Sequence, residues 1–197
     1  MFGRFNPPTI GHGRSIDRLI ELAADADAYV FVTSTQDPVK NPLSVGEKVE
    51  ILKKMFPNPD VVRIINTDAQ DCRTVFKAIY ALKDRGYTDI SFVGGSDRTE
   101  ENSRFTLPSY VSIISSGDRQ EGVSATNMRR AAREDDWKTF RELTNSRITN
   151  SNARNVMAKI KRAMDAPRSP KKKSAKASSK PKTKAGKKNS TRSYRRR

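Results

Sequence analysis

The sequence predicts an α/β fold, a doubly wound parallel sheet followed by C-terminal helices and a basic tail. Short apolar runs rich in β-branched and aromatic residues, such as 29–32 and 90–93, alternate with segments whose apolar residues recur at helical spacing. This alternation predicts βαβ units with right-handed crossovers. Loops rich in glycine, proline or hydroxyl side chains follow several of these strands. Because open parallel sheets bind ligands beyond the carboxyl ends of their strands, these loops are the expected site.

The first half of the chain has clear helix and strand signals. Residues 13–25 repeat apolar positions at helical spacing, and the apolar run at 29–32 predicts a buried strand. Ser44 and Glu47 match a capping box, in which each side chain accepts from the other residue's backbone N–H. The box opens a helix that we expect to end at residue 56, because Pro57 follows.

The second half continues the same alternation. We predict a strand at 61–65 and a helix at 71–85, with Gly86 as the helix cap. The strand at 90–93 runs into a glycine-rich turn, and 110–114 is a further strand. The predicted C-terminal helices cover 124–133, 135–143 and 151–164.

Charge is concentrated at the C-terminal end. Residues 168–197 hold 14 of the 39 Lys and Arg residues and none of the 22 acidic ones, so the net charge is +17 for the chain but +3 for residues 1–167. Because the tail has no apolar periodicity, we predict that it is disordered and binds DNA or RNA non-specifically; the alternative is a solubilising tail. We divide the chain into a domain at 1–145, a C-terminal helix at 146–167 and this tail.

Cysteine content and hydropathy indicate the cellular compartment in which the protein works. The single cysteine, Cys72, excludes an intramolecular disulfide and fits a reducing compartment, so we predict a cytoplasmic protein. Nothing near Cys72 has the pattern of a metal site or a nucleophile, and we predict no metal ligands in the chain. No apolar run approaches membrane-spanning length, so we predict no membrane partner.

Residues 3–12, GRFNPPTIGH, are the most informative stretch. The Pro-Pro pair cannot continue a helix or a central strand, so we predict a rigid loop that leads into the first helix. Such a loop offers free backbone N–H groups and the positive end of the helix dipole, which suit phosphate. His12, the only histidine in the chain, can donate to a phosphoryl oxygen there. The alternative is a proline-rich turn with a surface histidine.

Residues 122–130, GVSATNMRR, form a second candidate phosphate site. We predict a strand-to-helix turn with hydroxyl groups at the helix start and Arg129 one turn later. This arrangement suits phosphate groups. The alternative is a Ser124 N-cap followed by solvent-facing arginines.

Two further segments carry candidate binding residues. Lys40 precedes the capped helix and can hold a phosphate as a point charge; the alternative is a solvated loop lysine. Asp97 follows the glycine-rich turn at Gly95 and can accept from hydroxyl or amine groups of a ligand. The alternative there is a glycine-rich turn capped by Asp97.

These motifs resemble those of the nucleotidyltransferase superfamily. TIGH at 9–12 resembles its [H/T]-x-G-H motif, and 122–130 resembles its second motif. Residues 40–47 resemble a segment of nicotinamide-mononucleotide adenylyltransferases. The elements at 93–98, 115–119 and 124–129 resemble those of nucleotidyltransferase-like proteins of tailed bacteriophages. The resemblance runs from residue 3 to about residue 143 and implies a Rossmann-like sheet; a phage origin would place the protein in the host cytoplasm.

The resemblance implies transfer of a nucleoside monophosphate to a phosphorylated small acceptor, with release of pyrophosphate. ATP is favoured over CTP as the donor, and Mg²⁺ is expected as its counterion. Nicotinamide mononucleotide leads among the acceptors because of residues 40–47, while FMN, phosphopantetheine and a sugar or glycerol phosphate stay open. A cytidylyltransferase, and a catalytically idle nucleic-acid-binding or virion protein on the same fold, are the alternatives. The sequence leaves the oligomeric state open.

The resemblance also assigns roles to individual residues. It gives catalytic roles to Asn6, Thr9, His12 and Arg129. It gives nucleotide binding to Gly3, Arg4, Phe5, Gly11, His12, Gly95, Asp97, Ser124, Thr126 and Arg129, and acceptor binding to Lys40 and Asn41. It further implies a full-length first strand at the centre of the sheet, whereas only Met1 and Phe2 precede the loop. We therefore expect a truncated strand or, as the favoured interpretation, a start upstream of Met1 with further residues rich in Val, Ile and Phe.

Overall fold

A computed structural model describes residues 1–96, 106–118 and 120–166. The strands are β1 Phe2–Gly3, β2 Tyr29–Val32, β3 Arg63–Asn66, β4 Ile90–Gly94 and β5 Val111–Ser115. The helices are α1 Ile10–Ala23, α2 Val45–Met55, α3 Val75–Asp84, α4 Ala125–Arg133, α5 Trp137–Leu143 and α6 Asn150–Asp165. Among the described residues, no helix combines the length and the apolar character needed to cross a membrane.

Side-chain caps decide where the helices begin. The hydroxyl oxygens of Thr9, Ser44, Thr74, Ser124 and Thr149 each accept from the backbone N–H three residues later. Two predicted helix starts were therefore wrong. The helix predicted from residue 13 begins at Ile10, and the helix predicted from residue 71 begins at Val75.

The strand boundaries shift for a similar local reason. The strand predicted at 61–65 begins at Arg63, because the N–H groups of Val61 and Val62 donate back to the carbonyl oxygen of Asn58 in a turn. Gly86 has the predicted role after α3, with a φ of 96° that favours glycine.

All strand pairs are parallel, as predicted, but the sheet is interrupted. β1 pairs with β2 and β2 with β3, while β4 pairs only with β5 in the described part of the chain. The first strand is truncated, as expected: β1 is two residues long and pairs only with β2 among the described residues. An apolar cavity of about 270 Å³ lies between the two groups of strands, lined by Phe2, Leu19, Phe31, Ile79 and Phe92 among others.

Apolar side chains cover both faces of the strands. Val30 and Val32 of β2 pack in one cluster, with α1, α2 and the C-terminal helices. Tyr29 and Phe31, on the opposite face of β2, pack in a second cluster with α3. Two-sided coverage of parallel strands is the architecture of a doubly wound α/β fold, which confirms the predicted class. It also leaves the carboxyl ends of the strands as the open edge.

Candidate active site

The loop after β1 is held in an unusual conformation by Phe5. This residue is 3% exposed and has a φ of 48°, in the left-handed region that bulky side chains rarely adopt. Its ring folds back over Gly3, where an added Cβ would come within 2.8 Å of a ring carbon. The same ring meets His12 edge-on, with centroids 5.1 Å apart. Gly3 and Phe5 therefore shape the loop and support the histidine.

Asn6 joins this loop to the segment before α2. Its side chain is buried; Nδ2 donates to the carbonyl oxygen of Leu43 at 2.8 Å, and Oδ1 accepts from the Leu43 N–H at 3.0 Å. Both ends of the amide are thus occupied by backbone, 37 residues away in the chain. This contact fixes the distance between the loop and the segment that carries Lys40 and Asn41.

Thr9 and His12 form a capping box at the start of α1. The Thr9 hydroxyl oxygen accepts from the His12 backbone N–H at 3.3 Å, and the Thr9 backbone N–H donates to His12 Nδ1 at 3.0 Å. Histidine therefore replaces the usual Glu or Gln of the box. Since Nδ1 accepts, the proton of the neutral imidazole lies on Nε2, and Nε2 is the ring's donor.

Arg129 links the second motif to the first. It lies in α4, which Ser124 caps by accepting from the Asn127 N–H at 3.1 Å. Its guanidinium donates to the carbonyl oxygen of Asn6 at 2.7 Å and to the Thr126 hydroxyl at 3.1 Å. The first of these bonds spans 123 residues of sequence. The structure therefore brings the two predicted phosphate motifs into direct contact.

Gly11 allows a second close approach between the motifs. A Cβ added there would lie 3.1 Å from a methyl carbon of Val123, tighter than most van der Waals contacts. A larger side chain would push the start of α1 away from the loop before α4. Gly11, predicted to bind nucleotide, has this packing role in the structure.

The site is positively charged. Partial burial and the nearby charge of Arg4 both lower the pKa of Arg129, while the charge of Asp37 raises it. Arg4 itself is exposed. Two guanidinium groups close enough to repel each other are stabilised by an anion between or beside them. The arrangement therefore suits the phosphates of a nucleotide.

The segment with Lys40 and Asn41 is organised by Asp37. One carboxylate oxygen of Asp37 accepts from the N–H groups of Val39 and Lys40, at 3.0 and 2.7 Å, and the other accepts from the Asn41 side chain at 2.5 Å. These hydrogen bonds hold the pKa of Asp37 below its usual range. Asn41 is 5% exposed and is thus part of the turn, whereas Lys40 is exposed at its surface.

The glycine-rich turn after β4 is only partly described. Gly95 lies at the carboxyl end of β4, and the Ser96 N–H donates to the carbonyl oxygen of Gly117 at 3.3 Å. Asp97 lies outside the described residues, as does the basic tail at 168–197.

Two residues near the site were missed by sequence reasoning. Asp37 could have been found, because an aspartate just before a proline often forms a side-chain turn with the N–H groups that follow. Lys48 carries no such signal. It is fully buried, and its Nζ donates to the carbonyl oxygens of Thr33 and Thr35 at the end of β2.

The described residues contain no group of three or more His, Cys, Asp and Glu side chains that could hold a metal ion. The charged groups at the site, Arg4 and Arg129, suit phosphate oxygens. A divalent cation fits this donor set only as the counterion of a bound triphosphate, with the phosphates as its ligands.

The family match agrees with the placement of these motifs. A protein-family model described as cytidylyltransferase-like matches residues 1–131, about two thirds of the 197-residue chain. No match to an individual curated protein accompanies it. The matched region contains β1 to β5, the capping box of Thr9 and His12, and Arg129, and it supports the superfamily that the motifs predicted. The chain belongs to the cytidylyltransferase-like family.

Proposed function

We propose that the protein transfers AMP from ATP to the phosphate of a small acceptor, with release of pyrophosphate. Family membership supports nucleotidyl transfer in general. One observation carries the proposal furthest: Arg129 of the second motif donates to the Asn6 carbonyl oxygen of the first motif at 2.7 Å. The contact holds α4 against the loop that leads to His12. Open α/β sheets bind nucleotides beyond the carboxyl ends of their strands, which supports a nucleotide site here.

In the proposed reaction, an acceptor phosphate oxygen attacks the α-phosphorus of the triphosphate. The new P–O bond forms as the bond to the bridging oxygen breaks, and pyrophosphate leaves with that bonding pair. No side chain forms a covalent intermediate, so catalysis depends on orientation and on stabilising charge. His12 would donate from Nε2 to a phosphoryl oxygen as negative charge builds there.

The cationic residues would bind the triphosphate. Both hydrogen bonds of Arg129 go to neutral oxygens, of Asn6 and Thr126, so its charge remains available to phosphate. Arg4 lies close enough to Arg129 to lower its pKa, and a shared phosphate would relieve this repulsion. Ser124, at the start of α4, would add a helix N-terminus directed at the same anion. Mg²⁺, bound by the phosphates, would neutralise charge on the leaving pyrophosphate.

The acceptor would bind beside the Asp37 turn. Lys40 is the exposed cation of that turn, and its backbone N–H is fixed by Asp37 at 2.7 Å. A lysine presented on a rigid turn suits the monophosphate of an acceptor such as nicotinamide mononucleotide. Asp97 would contact the adenosine or the acceptor.

The test is a matrix of donors and acceptors. Purified protein is incubated with ATP, CTP, GTP or UTP and Mg²⁺, with nicotinamide mononucleotide, FMN, phosphopantetheine, and sugar and glycerol phosphates as acceptors. Pyrophosphate release and the mass of the product are measured. We expect ATP with nicotinamide mononucleotide to give the highest kcat/KM.

Controls assign the activity to this site. An Arg129→Met variant should lose the signal, which excludes a contaminating enzyme. A product formed from CTP in preference to ATP would replace adenylyl by cytidylyl transfer. Absence of pyrophosphate with every pair, together with retained DNA binding, would favour the catalytically idle nucleic-acid-binding protein.

A further inference from the structure

Lys48 is an unexpected side chain at the carboxyl edge of the strands. It lies in α2 and is 0% exposed, although lysine is almost never fully buried without compensating contacts. Its Nζ donates to the carbonyl oxygen of Thr33 in a short hydrogen bond and to that of Thr35 at 3.4 Å. The ammonium thus anchors the chain just after β2.

We propose that Lys48 is a positioning residue for the active site, acting through the segment 33–37. The segment touches the first motif directly, because the Thr33 N–H donates to the carbonyl oxygen of Gly3 at 3.0 Å. Gly3 immediately precedes Arg4. A displacement of Thr33 would therefore move the backbone that places the Arg4 guanidinium.

The same segment leads to Asp37, which affects Arg129 and organises the turn that carries Lys40. Asp37, two residues after Thr35, fixes the N–H of Lys40 and acts electrostatically on Arg129. Lys48 thus holds the first half of the segment 33–37, between the nucleotide loop and the acceptor turn. Loss of this anchor should loosen both substrate subsites while leaving the core of the fold in place.

The electrostatics of Lys48 are compatible with this role over a wide pH range. Desolvation lowers its pKa to about 8, and the charge of Asp68, after β3, opposes that shift. An ammonium has three N–H donors and a neutral amine has two. Both protonation states can therefore bond the two carbonyl oxygens of Thr33 and Thr35.

The first test compares Lys48→Met with Lys53→Met. Methionine keeps the length and apolar stem but removes the donors, and Lys53 is an exposed lysine of the same helix. We expect amide hydrogen exchange at 33–37 to become at least about tenfold faster in Lys48→Met and to be unchanged in Lys53→Met. Unchanged exchange at 33–37 in a folded Lys48→Met protein would overturn the proposal.

The second readout is kinetic and rests on the proposed function. We expect kcat/KM to fall about 10- to 100-fold in Lys48→Met, chiefly through higher KM values for both substrates, because small displacements of binding groups are costly. A merely structural role would lower the active fraction, and hence the apparent kcat, without moving KM. Lys48→Arg keeps the charge and the donors, so its KM values should lie between those of wild type and Lys48→Met.

A wild-type measurement removes the dependence on variants that fold poorly. An NMR coupling through the short hydrogen bond should connect Lys48 Nζ to the carbonyl carbon of Thr33, and its absence would overturn the proposal. If the wild-type protein lacked transferase activity, the exchange and NMR results would still decide the role of Lys48, while only the proposed function would fail.

Discussion

The backbone N–H of Thr9 donates to Nδ1 of His12 across 3.0 Å. The bond fixes the ring against the helix start and leaves Nε2 with the proton of the neutral imidazole. The only histidine of the chain therefore has two separable roles, a helix cap and a hydrogen-bond donor.

These roles can be separated with His12→Ala and His12→Gln. Alanine removes both, and we expect turnover to fall by about two orders of magnitude, with a loss of roughly 1 kcal/mol in the free energy of unfolding. Glutamine can accept from the Thr9 N–H, as in an ordinary capping box, so it should recover the stability but not the turnover. Steady-state kinetics and denaturant unfolding measure the two effects. Wild-type turnover in either variant would remove His12 from the mechanism.

Short-range features of the site were predictable and long-range ones were not. The capping box of Ser44 and Glu47 was predicted because its partners are three residues apart and follow a known pattern. The equivalent box at Thr9 was missed because histidine stands in place of Glu or Gln. The contact of Asn6 with Leu43 spans 37 residues, and nothing in the residue types indicates it.

Burial of charged residues was also beyond prediction from the sequence. Lys48 follows a capping box, where the default expectation is an exposed helical lysine. The sheet is interrupted between the group β1–β3 and the pair β4–β5. This interruption depends on how the two groups of parallel strands pack together, which no local sequence pattern encodes. The fold class itself was predictable, since alternating strands and helices with buried apolar runs allow few other architectures.

The Arg129 guanidinium should contribute to triphosphate affinity through its planar set of N–H donors as well as through its charge. In Arg129→Lys the charge stays, but one group can no longer bond Asn6, Thr126 and a phosphate together. We expect the affinity for the triphosphate to fall about tenfold in Arg129→Lys and further in Arg129→Met, an order of magnitude per lost charge-assisted bond. Isothermal titration with a non-hydrolysable triphosphate measures it. The matched control is Arg130→Met, an exposed arginine of the same helix that should bind like wild type.

Asn6 should affect stability more than turnover. Asn6→Ala leaves the N–H and carbonyl groups of buried Leu43 without their partners, which we expect to cost roughly 2–4 kcal/mol in the free energy of unfolding. Asn155→Ala, at an exposed position of α6, should change it by no more than about 0.5 kcal/mol. Urea unfolding tests both. If Asn6→Ala kept its stability and lost turnover, the catalytic role that the resemblance gives to Asn6 would be supported instead.

Lys48 should give stability a measurable pH dependence. Its pKa is lowered from 10.5 to about 8 in the folded protein, so between these values the unfolded chain binds more protons than the folded one. By linkage, the free energy of unfolding should therefore rise with pH across this window. We expect a change of roughly 1–2 kcal/mol in the free energy of unfolding across this window, an order-of-magnitude figure for a pKa shift of this size. The difference between wild type and Lys48→Met, measured by urea unfolding at pH 7.5 and 10, isolates this contribution. A constant difference would contradict it.

The basic tail should bind nucleic acid without taking part in transfer. Residues 168–197 hold 14 basic residues, no acidic ones and one aromatic, Tyr194. Such a segment gains affinity by releasing counterions from phosphates, and it has too few aromatic rings for stacking on bases. For six to ten phosphate contacts, affinity for DNA should fall by a factor of about 10³ to 10⁵ between 50 and 200 mM salt.

Two variants test the role of the tail's charge. One is a chain that ends at residue 167, and the other is a full-length chain in which the tail's Lys and Arg residues are changed to Gln. We expect both to lose most DNA retention while keeping kcat/KM on small acceptors. Equal DNA retention by the Gln variant would show that charge is not the cause, and loss of kcat/KM in both variants would place the tail in the reaction.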